Sequence, residues 1–160
     1  MNNDCPFCNI ELVPGQRVVL ANETCLFLQM PQEVLIGSGV IVPKAHRETV
    51  FDLTPEEWQD TYDLLQKVKA LLDEQYAPDG YNVGWNVGAV GGQHVFHAHL
   101  HIVPRFADEP LAGKGIRHWL KQPGNRRNAG SASTSLASSL SWDGQGRKAA
   151  PVPKARLKRS

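Results

Sequence analysis

The chain has 160 residues, of which 41% are hydrophobic and 21% are charged; these proportions are close to the globular average and exclude disorder along the whole length. No apolar run reaches the roughly 18 residues of a membrane helix, and the N-terminus lacks the basic and apolar segments of a signal peptide, so we expect a cytoplasmic protein with no membrane association. Residues up to Ala112 contain 6 Lys and Arg against 15 Asp and Glu, whereas those from Gly113 contain 11 against 1. This division predicts an acidic body with a basic tail.

A C-x-x-C pair, Cys5 and Cys8, lies almost at the N-terminus. Three cysteines are too few for a disulfide scaffold in a chain of this length, which leaves metal binding and redox exchange as interpretations of the pair. A thioredoxin-like pair would follow a strand and open a helix; no predicted strand precedes Cys5, so its position favours a metal. Cys25 stands alone in an apolar stretch, and we expect it to be a small buried side chain.

Short apolar runs that are rich in β-branched residues predict the strands. Residues 17–20 and 25–28 form an antiparallel hairpin, and residues 39–43 form a strand that ends at a proline. Residues 81–87 and 94–103 are the last strands, joined by a glycine-rich turn.

One long helix is predicted from Thr54, which is the N-cap, with Pro55 at the first helical position and Glu57 completing a capping box. Apolar side chains at helical spacing predict the face that packs on the core: Trp58, Tyr62, Leu65, Val68 and Leu72. Strands before and after a single helix, without regular alternation, indicate an α+β fold with an antiparallel sheet.

Three segments follow from this pattern. Residues 1–112 form the folded domain, residues 113–128 form an extension with a short helix over residues 115–122, and residues 129–160 form a basic low-complexity tail. We expect the tail to be disordered, because it has too little apolar surface to offset the entropy of ordering. Its basic end can attract nucleic acid by counterion release, but a solvated tail without a specific partner is the expected state.

Four of the six histidines lie within residues 94–101. Side chains of a strand alternate with period two, so His97, His99 and His101 would share one face and the apolar residues between them the other. Three protonated imidazoles would repel one another, so at least one is expected to be neutral near pH 7, with coupled titrations. Such a row suits metal ligation, anion binding, or nucleophilic and acid–base catalysis.

The spacing H-x-H-x-H followed by apolar residues resembles the signature of the histidine triad (HIT) family of nucleotide hydrolases and transferases. Three further motifs agree in order: CPFC at residues 5–8, GVIVPKAH at residues 39–46 and NVGAVGGQ at residues 86–93. They resemble the N-terminal C-x-F-C of many bacterial members, the strand that ends in P-K-x-H, and the N-x-G…G-Q approach to the triad. The resemblance implies an α+β subunit that pairs into a homodimer through a shared sheet.

The resemblance also implies a two-step reaction, in which His99 attacks the α-phosphorus of a nucleotide and forms a nucleotidyl-imidazole that water then cleaves. His101 would hydrogen-bond the phosphate and stabilise the leaving group, and His97 completes the catalytic row. Donors to the phosphate oxygens would come from the glycine-rich approach: Asn86, Gln93 and the backbone around Gly92.

In zinc-bearing members of the family, two cysteines and two histidines bind one structural Zn²⁺. The corresponding residues here form a closed Cys₂His₂ set: Cys5, Cys8, His46 and His97. This metal would tie the N-terminus to the catalytic strand. The triad itself requires no catalytic metal, and Mg²⁺ can accompany the substrate phosphates.

Three positions that would bind substrate depart from the family pattern. Ser38 occupies a position where a pocket histidine is usual in the family. Gln29 occupies the position of the acidic or amide residue that binds the ribose hydroxyls in the family. His94 replaces a small hydroxyl residue near the leaving group, and residues 30–36 carry one extra residue. These changes bear on substrate preference and leave the nucleophile in place.

We therefore expect a nucleotide hydrolase that releases a nucleoside monophosphate, AMP first, from dinucleoside polyphosphates or nucleoside phosphoramidates. A nucleotidyltransferase that uses the same intermediate and a nucleotide-binding or scaffold protein with weak turnover are the alternatives. A metal enzyme with the three alternating histidines around one open metal is a further alternative, against which the motifs at residues 39–46 and 86–93 argue.

Overall fold

The computed structural model describes residues 4–127, and the predicted tail, residues 129–160, lies outside them. The described part has the predicted α+β architecture, with a five-stranded antiparallel sheet, one long helix and one short helix. The strands are β1 (Arg17–Ala21), β2 (Cys25–Gln29), β3 (Gly39–Pro43), β4 (Gly80–Trp85) and β5 (Leu100–Arg105). The helices are α1 (Pro55–Tyr76) and α2 (Ile116–Leu120), with single 3₁₀ turns at Ile10–Leu12, Val50–Asp52, Ala89–Gly91 and Pro123–Asn125.

The sheet has the strand order β1-β2-β3-β5-β4, so β5 is an interior strand and β4 is an edge. On β5, His101 pairs with Val40 of β3. At the start of β3, a Cβ atom on Gly39 would lie 2.5 Å from both the Leu28 carbonyl oxygen and the Phe27 ring. Glycine is therefore required where β3 begins beside β2.

Helix α1 begins as predicted, and its capping box is complete. The Thr54 hydroxyl accepts a hydrogen bond from the Glu57 N–H (3.1 Å), and the Glu57 carboxylate accepts one from the Thr54 N–H (2.8 Å). The helix ends where Ala77 adopts a positive φ of 46°. A residue in this left-handed conformation commonly ends a helix.

The predicted packing face of α1 is wrong in its first two turns. Trp58 and Tyr62 are 52% and 57% exposed. The buried row is displaced by one residue there: Glu57, Thr61, Leu64, Val68 and Leu72. Thr61 can be buried because its hydroxyl donates to the Glu57 carbonyl oxygen at 2.7 Å. Two polar residues with local partners therefore occupy the face that the apolar pattern assigned to aromatic rings.

The strand predicted over residues 94–103 begins later than expected. β5 starts at Leu100, so residues 94–99 lie outside the sheet. The earlier segment forms hydrogen bonds with the loop after β3: the Ala98 N–H donates to the Arg47 carbonyl (2.6 Å), and the Gln93 side chain donates to the Glu48 carbonyl (2.7 Å). These bonds replace the ladder that a longer strand would make with its neighbours.

The core lies between the sheet and α1, and Cys25 is fully buried in it, as predicted. This compact unit extends to Ile116, and the segment from Arg117 is a separate unit. The short helix α2 lies within residues 115–122, where one was predicted. Within residues 4–127, no helix has both the length and the apolar character to span a bilayer.

Candidate active site

The three alternating histidines lie where the loop before β5 enters the sheet. His97 and His99 are on the loop and His101 is on β5. His97 is fully buried, His99 is 7% exposed and His101 is partly buried. The rings of His99 and His101 are neighbours, with centroids 4.7 Å apart, whereas His97 contacts the sulfur atoms of Cys5 and Cys8. The three histidines therefore contact two different groups of residues: His97 lies with the cysteines, and His99 and His101 lie with each other.

Backbone carbonyls determine which ring nitrogen of each buried histidine carries its proton. His99 Nδ1 lies 2.7 Å from the His97 carbonyl oxygen. A carbonyl can only accept, so Nδ1 holds the proton and Nε2 holds a free lone pair. His97 has the opposite arrangement: its Nε2–H donates to the Pro43 carbonyl at 2.9 Å, which leaves Nδ1 free to bind a metal.

Burial lowers the pKa of all three histidines of the row below the ordinary imidazole value. For His97 and His99, burial is the largest influence, and a hydrogen bond to a backbone carbonyl opposes it. Neighbouring histidines lower the pKa further: His46 and His99 for His97, and His94 for His99. Burial and the nearby His99 lower the pKa of His101. The neutral imidazole, which is the nucleophilic form, is therefore the form favoured near pH 7.

The four residues predicted to bind a metal lie together. The ligand atoms of Cys5, Cys8, His46 and His97 all lie within 4.8 Å of one another. Each histidine offers Nδ1: Cys8 Sγ lies 3.2 Å from His46 Nδ1, and Cys5 Sγ lies 3.4 Å from His97 Nδ1. Tetrahedral zinc with ordinary Zn–S and Zn–N bonds separates sulfur from nitrogen by about 3.6 Å. The donor set and its spacing therefore fit a Cys₂His₂ metal centre.

The glycine-rich turn before the triad is braced by Gln93. Gly88 and Gly92 have φ values of 69° and 89°, which favour glycine. Gln93 is 2% exposed; its Oε1 accepts from the Gly88 N–H (2.9 Å), and its Nε2 donates to the carbonyls of Glu48 (2.7 Å) and Val95 (3.1 Å). Both amide hydrogens are thus engaged with backbone.

Asn86 lies at the other end of this turn, beside the triad. Its Nδ2 lies 3.4 Å from the Gly92 carbonyl oxygen and 3.5 Å from His101 Nε2. Both separations are long for hydrogen bonds, so the amide can move to another acceptor at small cost.

A cleft of about 320 Å³ opens beside His101. Gln29 and Ser38 line it and are themselves hydrogen-bonded: the Gln29 amide donates to the Gly37 carbonyl (2.9 Å), and the Ser38 hydroxyl accepts from Gln32 (2.8 Å). No Asp, Glu, Lys or Arg is among the described residues that line this cleft. The cleft is large enough for a planar ring system and offers it neutral polar groups.

His94 is not among the residues that line this cleft. It is exposed and lines a separate depression of about 220 Å³ beside the candidate metal ligands Cys5 and His46.

Sequence reasoning missed two features of the site. Phe7 packs on His99, with ring centroids 5.2 Å apart, and also lines the cleft. The Arg47 carbonyl oxygen accepts a hydrogen bond from the Ala98 N–H, and the Arg47 side chain forms an ion pair with Glu57. The position of Phe7 between the two cysteines was the available signal for the first; the ion pair has no local signature.

Comparison with known proteins agrees with this architecture. A family model described as "HIT domain" matches residues 13–108. The chain is 32% identical over 105 residues to "Protein hit" of Bacillus subtilis, covering 64% of this chain and 72% of that protein. It is 31% identical over 94 residues to bis(5'-adenosyl)-triphosphatase of Dictyostelium discoideum, covering 59% of this chain and 63% of that protein. It is 29% identical over 126 residues to adenylylsulfatase HINT3 of Arabidopsis thaliana, covering 76% of this chain and 63% of that protein.

Solved structures share the fold. A HIT family protein from Bacillus anthracis superposes with a TM-score of 0.60 at 31% identity, covering 66% of this chain and 76% of that one. A Zn-bound histidine triad family protein from Mycobacterium smegmatis superposes with a TM-score of 0.59 at 28% identity, covering 69% of this chain and 81% of that one.

Proposed function

Because the chain belongs to the HIT family, we propose that it is a nucleotide hydrolase that releases AMP from dinucleoside polyphosphates or adenosine phosphoramidates. The observation that carries this proposal is the hydrogen bond from His99 Nδ1 to the His97 carbonyl, which leaves Nε2 unprotonated on a ring that packs against His101, a residue that lines the cleft. The cleft receives the nucleoside. A triphosphatase and an adenylylsulfatase among the relatives are named for reactions at nucleotide phosphates, which supports this substrate class.

In the proposed reaction, His99 Nε2 attacks the α-phosphorus, and the bond from phosphorus to the leaving group breaks. The resulting nucleotidyl-imidazole is then attacked by water, which restores His99 and yields the monophosphate. His101 and Asn86 hydrogen-bond the phosphate oxygens, whereas the N–H groups of Gly91, Gly92 and Gln93 donate to carbonyls within the turn. Gln93 acts indirectly, since its amide hydrogens hold the turn in place.

Cys5, Cys8, His46 and His97 would hold a structural Zn²⁺. When bound, the metal supplies a cross-link between the N-terminal segment and the loop that carries His99. The donor set and the Zn-bound relative from M. smegmatis support this assignment. Mg²⁺ on the substrate remains a prediction.

We also propose a homodimer in which two β4 edges pair antiparallel and extend the sheet. Among residues 4–127, no strand pairs with the outer side of β4, and an open edge is a template for pairing with another chain. Next to this edge, Trp58 of α1 stacks on Trp85 of β4, with centroids 6.0 Å apart, and remains 52% exposed. Tyr62 and Val83 are also exposed, at 57% and 48%. Such a patch is typical of an interface.

The test is AMP release from diadenosine tetraphosphate and from an adenosine phosphoramidate by the wild type and by His99→Ala. We expect the variant to lose more than about a thousandfold in rate, because removing a nucleophile abolishes the covalent route. The matched control is His118→Ala, which removes a histidine of the separate C-terminal unit and should keep the wild-type rate. Circular dichroism verifies that each variant is folded.

Equal release by wild type and His99→Ala would contradict the nucleophile. No release by the wild type would favour a transferase that lacks its acceptor, or a nucleotide-binding protein.

A further inference from the structure

Phe7 links the candidate metal centre to the candidate active site. It lies between Cys5 and Cys8 in the chain, and its ring packs edge-on against His97 and His99, with centroids 5.8 and 5.2 Å apart. The same ring forms part of the wall of the cleft beside His101. One side chain therefore touches a metal ligand, the proposed nucleophile and the nucleoside cleft.

Backbone hydrogen bonds hold the turn that carries Phe7. The N–H groups of Cys8 and Asn9 donate to the Cys5 carbonyl (3.1 and 2.9 Å), and Gln16 donates to the Pro6 carbonyl (2.8 Å). This segment precedes β1 and lies outside the sheet and outside helices α1 and α2. Thiols form only weak hydrogen bonds, whereas two thiolates on one metal fix the chain on both sides of Phe7, at Cys5 and at Cys8.

We propose that metal occupancy of the Cys₂His₂ centre raises the affinity of the cleft for a nucleoside monophosphate, with Phe7 as the positioning residue that couples the two sites. Metal ligation at Cys5 and Cys8 holds the Phe7 ring against His99 and completes the cleft wall. Loss of the metal releases the turn and opens that wall. This inference depends on the proposed function, because it assigns the cleft to the nucleoside.

Coupling between two binding sites is reciprocal. If metal raises the affinity for AMP by a given factor, AMP raises the affinity for the metal by the same factor. Typical coupling corresponds to roughly 5–150-fold. The proposal therefore predicts an effect at each site that can be measured without turnover.

The first experiment is calorimetric titration of AMP into the full chain, zinc-loaded and metal-free under reducing conditions. We expect the metal-free wild type to bind AMP about fivefold more weakly or worse. Phe7→Ala should bind AMP weakly with or without zinc, so that the metal dependence disappears, and Phe7→Leu should restore part of it by refilling the wall. The control Phe51→Ala removes a phenylalanine that is 84% exposed and should keep the wild-type metal dependence.

The second experiment follows zinc transfer to a chromogenic chelator with and without AMP. At equilibrium, AMP should lower the amount of zinc that the chelator takes from the wild type and from Phe51→Ala, and should have no effect on Phe7→Ala. Zinc content and far-UV circular dichroism confirm that Phe7→Ala still folds and loads metal.

Equal AMP affinity of zinc-loaded and metal-free wild type would overturn the inference while leaving the proposed function intact. A metal dependence that persists in Phe7→Ala would show that Phe7 is not the link. If zinc-loaded wild type binds no AMP, the assignment of the cleft fails, and the inference fails with it.

Discussion

Within the triad, neighbouring histidines present different nitrogens because different carbonyls hold them. His97 donates through Nε2 to Pro43 and offers Nδ1 to the cysteines, whereas His99 donates through Nδ1 to His97 and offers Nε2. The same residue type, two positions apart, is thereby suited to metal binding in one case and to nucleophilic attack in the other. A single backbone peptide, that of His97, connects the two roles.

The Gln93 side chain is fully engaged with the backbone around the glycine-rich turn. Its side chain makes three hydrogen bonds to backbone and leaves neither amide hydrogen directed at a ligand. We predict that Gln93→Ala lowers kcat/KM by about 10–100-fold and also lowers Tm by several degrees, because buried backbone groups lose their partners. Kinetics on diadenosine tetraphosphate and thermal melts measure both effects.

The control for this variant is Gln59→Ala, which removes an exposed glutamine of α1 and should change neither value. A large kinetic loss in Gln93→Ala with an unchanged Tm would instead indicate direct contact with the phosphate.

Cys8 provides a prediction about the metal. Cys8→Ser replaces a thiolate by a poor zinc ligand, so we expect little bound zinc and a Tm lower by about 5 °C or more. Cys25→Ala removes a thiol that is buried in the core, away from the cluster, and should retain its zinc. Elemental analysis and melting curves measure these outcomes; full zinc content in Cys8→Ser would contradict the ligand set.

At the scale of elements, the loop after β3 supports the loop before β5. It accepts hydrogen bonds from Ala98 and Gln93 through its carbonyls. Its Arg47 side chain is anchored on α1, where Nε lies 3.0 Å from both carboxylate oxygens of Glu57. Glu57 also caps the helix through Thr54. One buried carboxylate thus connects the start of α1 to the segment that carries His99.

Glu57→Gln should lower Tm by about 3–6 °C at pH 7. Burial, the largest influence, raises the pKa of Glu57, but hydrogen bonds from Arg47 and Thr54 outweigh it and hold the pKa below its ordinary value. Its contribution to stability is therefore full above the unfolded-state pKa of about 4.3 and is lost as the pH falls through the lower folded value. The Tm difference from wild type should shrink below about pH 4.

Melts between pH 3 and pH 8 measure this dependence, with the exposed neighbour Glu56 as control: Glu56→Gln should change Tm less. A difference for Glu57→Gln that does not vary with pH would contradict a charged Glu57.

Local patterns predicted the elements, and nonlocal contacts account for the errors. The start of α1 was predictable because Thr54, Pro55 and Glu57 are a local capping signal. Its packing face was not, because the burial of Thr61 depends on a hydrogen bond and on the shape of the sheet beneath it. The start of β5 was misplaced because the preceding residues bond to a loop that lies about 50 positions away in the chain.

In the candidate site, too, local patterns predicted some features, and others depend on nonlocal contacts. The clustering of Cys5, Cys8, His46 and His97 was predictable because their residue types and spacing carry the signal. The bracing role of Gln93 and the contact of Phe7 with His99 depend on folded geometry alone.

At the scale of the whole molecule, the candidate site and the exposed aromatic patch involve different strands. The candidate metal centre and the triad lie where β3 ends and β5 begins, whereas the patch lies on α1 and the β4 edge. Both depend on β5, which pairs with β3 on one side and β4 on the other. A second subunit added at β4 would therefore extend the sheet that contains His101 and leave the cleft open.

We predict that the wild type elutes from size exclusion with light scattering at twice the chain mass of 17.7 kDa. Trp58→Glu places a charge beside Trp85 in the patch, where a buried unpaired carboxylate is costly, and should give a monomer. Phe51→Glu adds the same charge at an exposed phenylalanine outside the patch and should remain dimeric. A monomeric wild type, or a dimer that persists in Trp58→Glu, would contradict pairing through β4, since an isologous interface buries the same patch on both subunits and therefore buries two copies of the new charge.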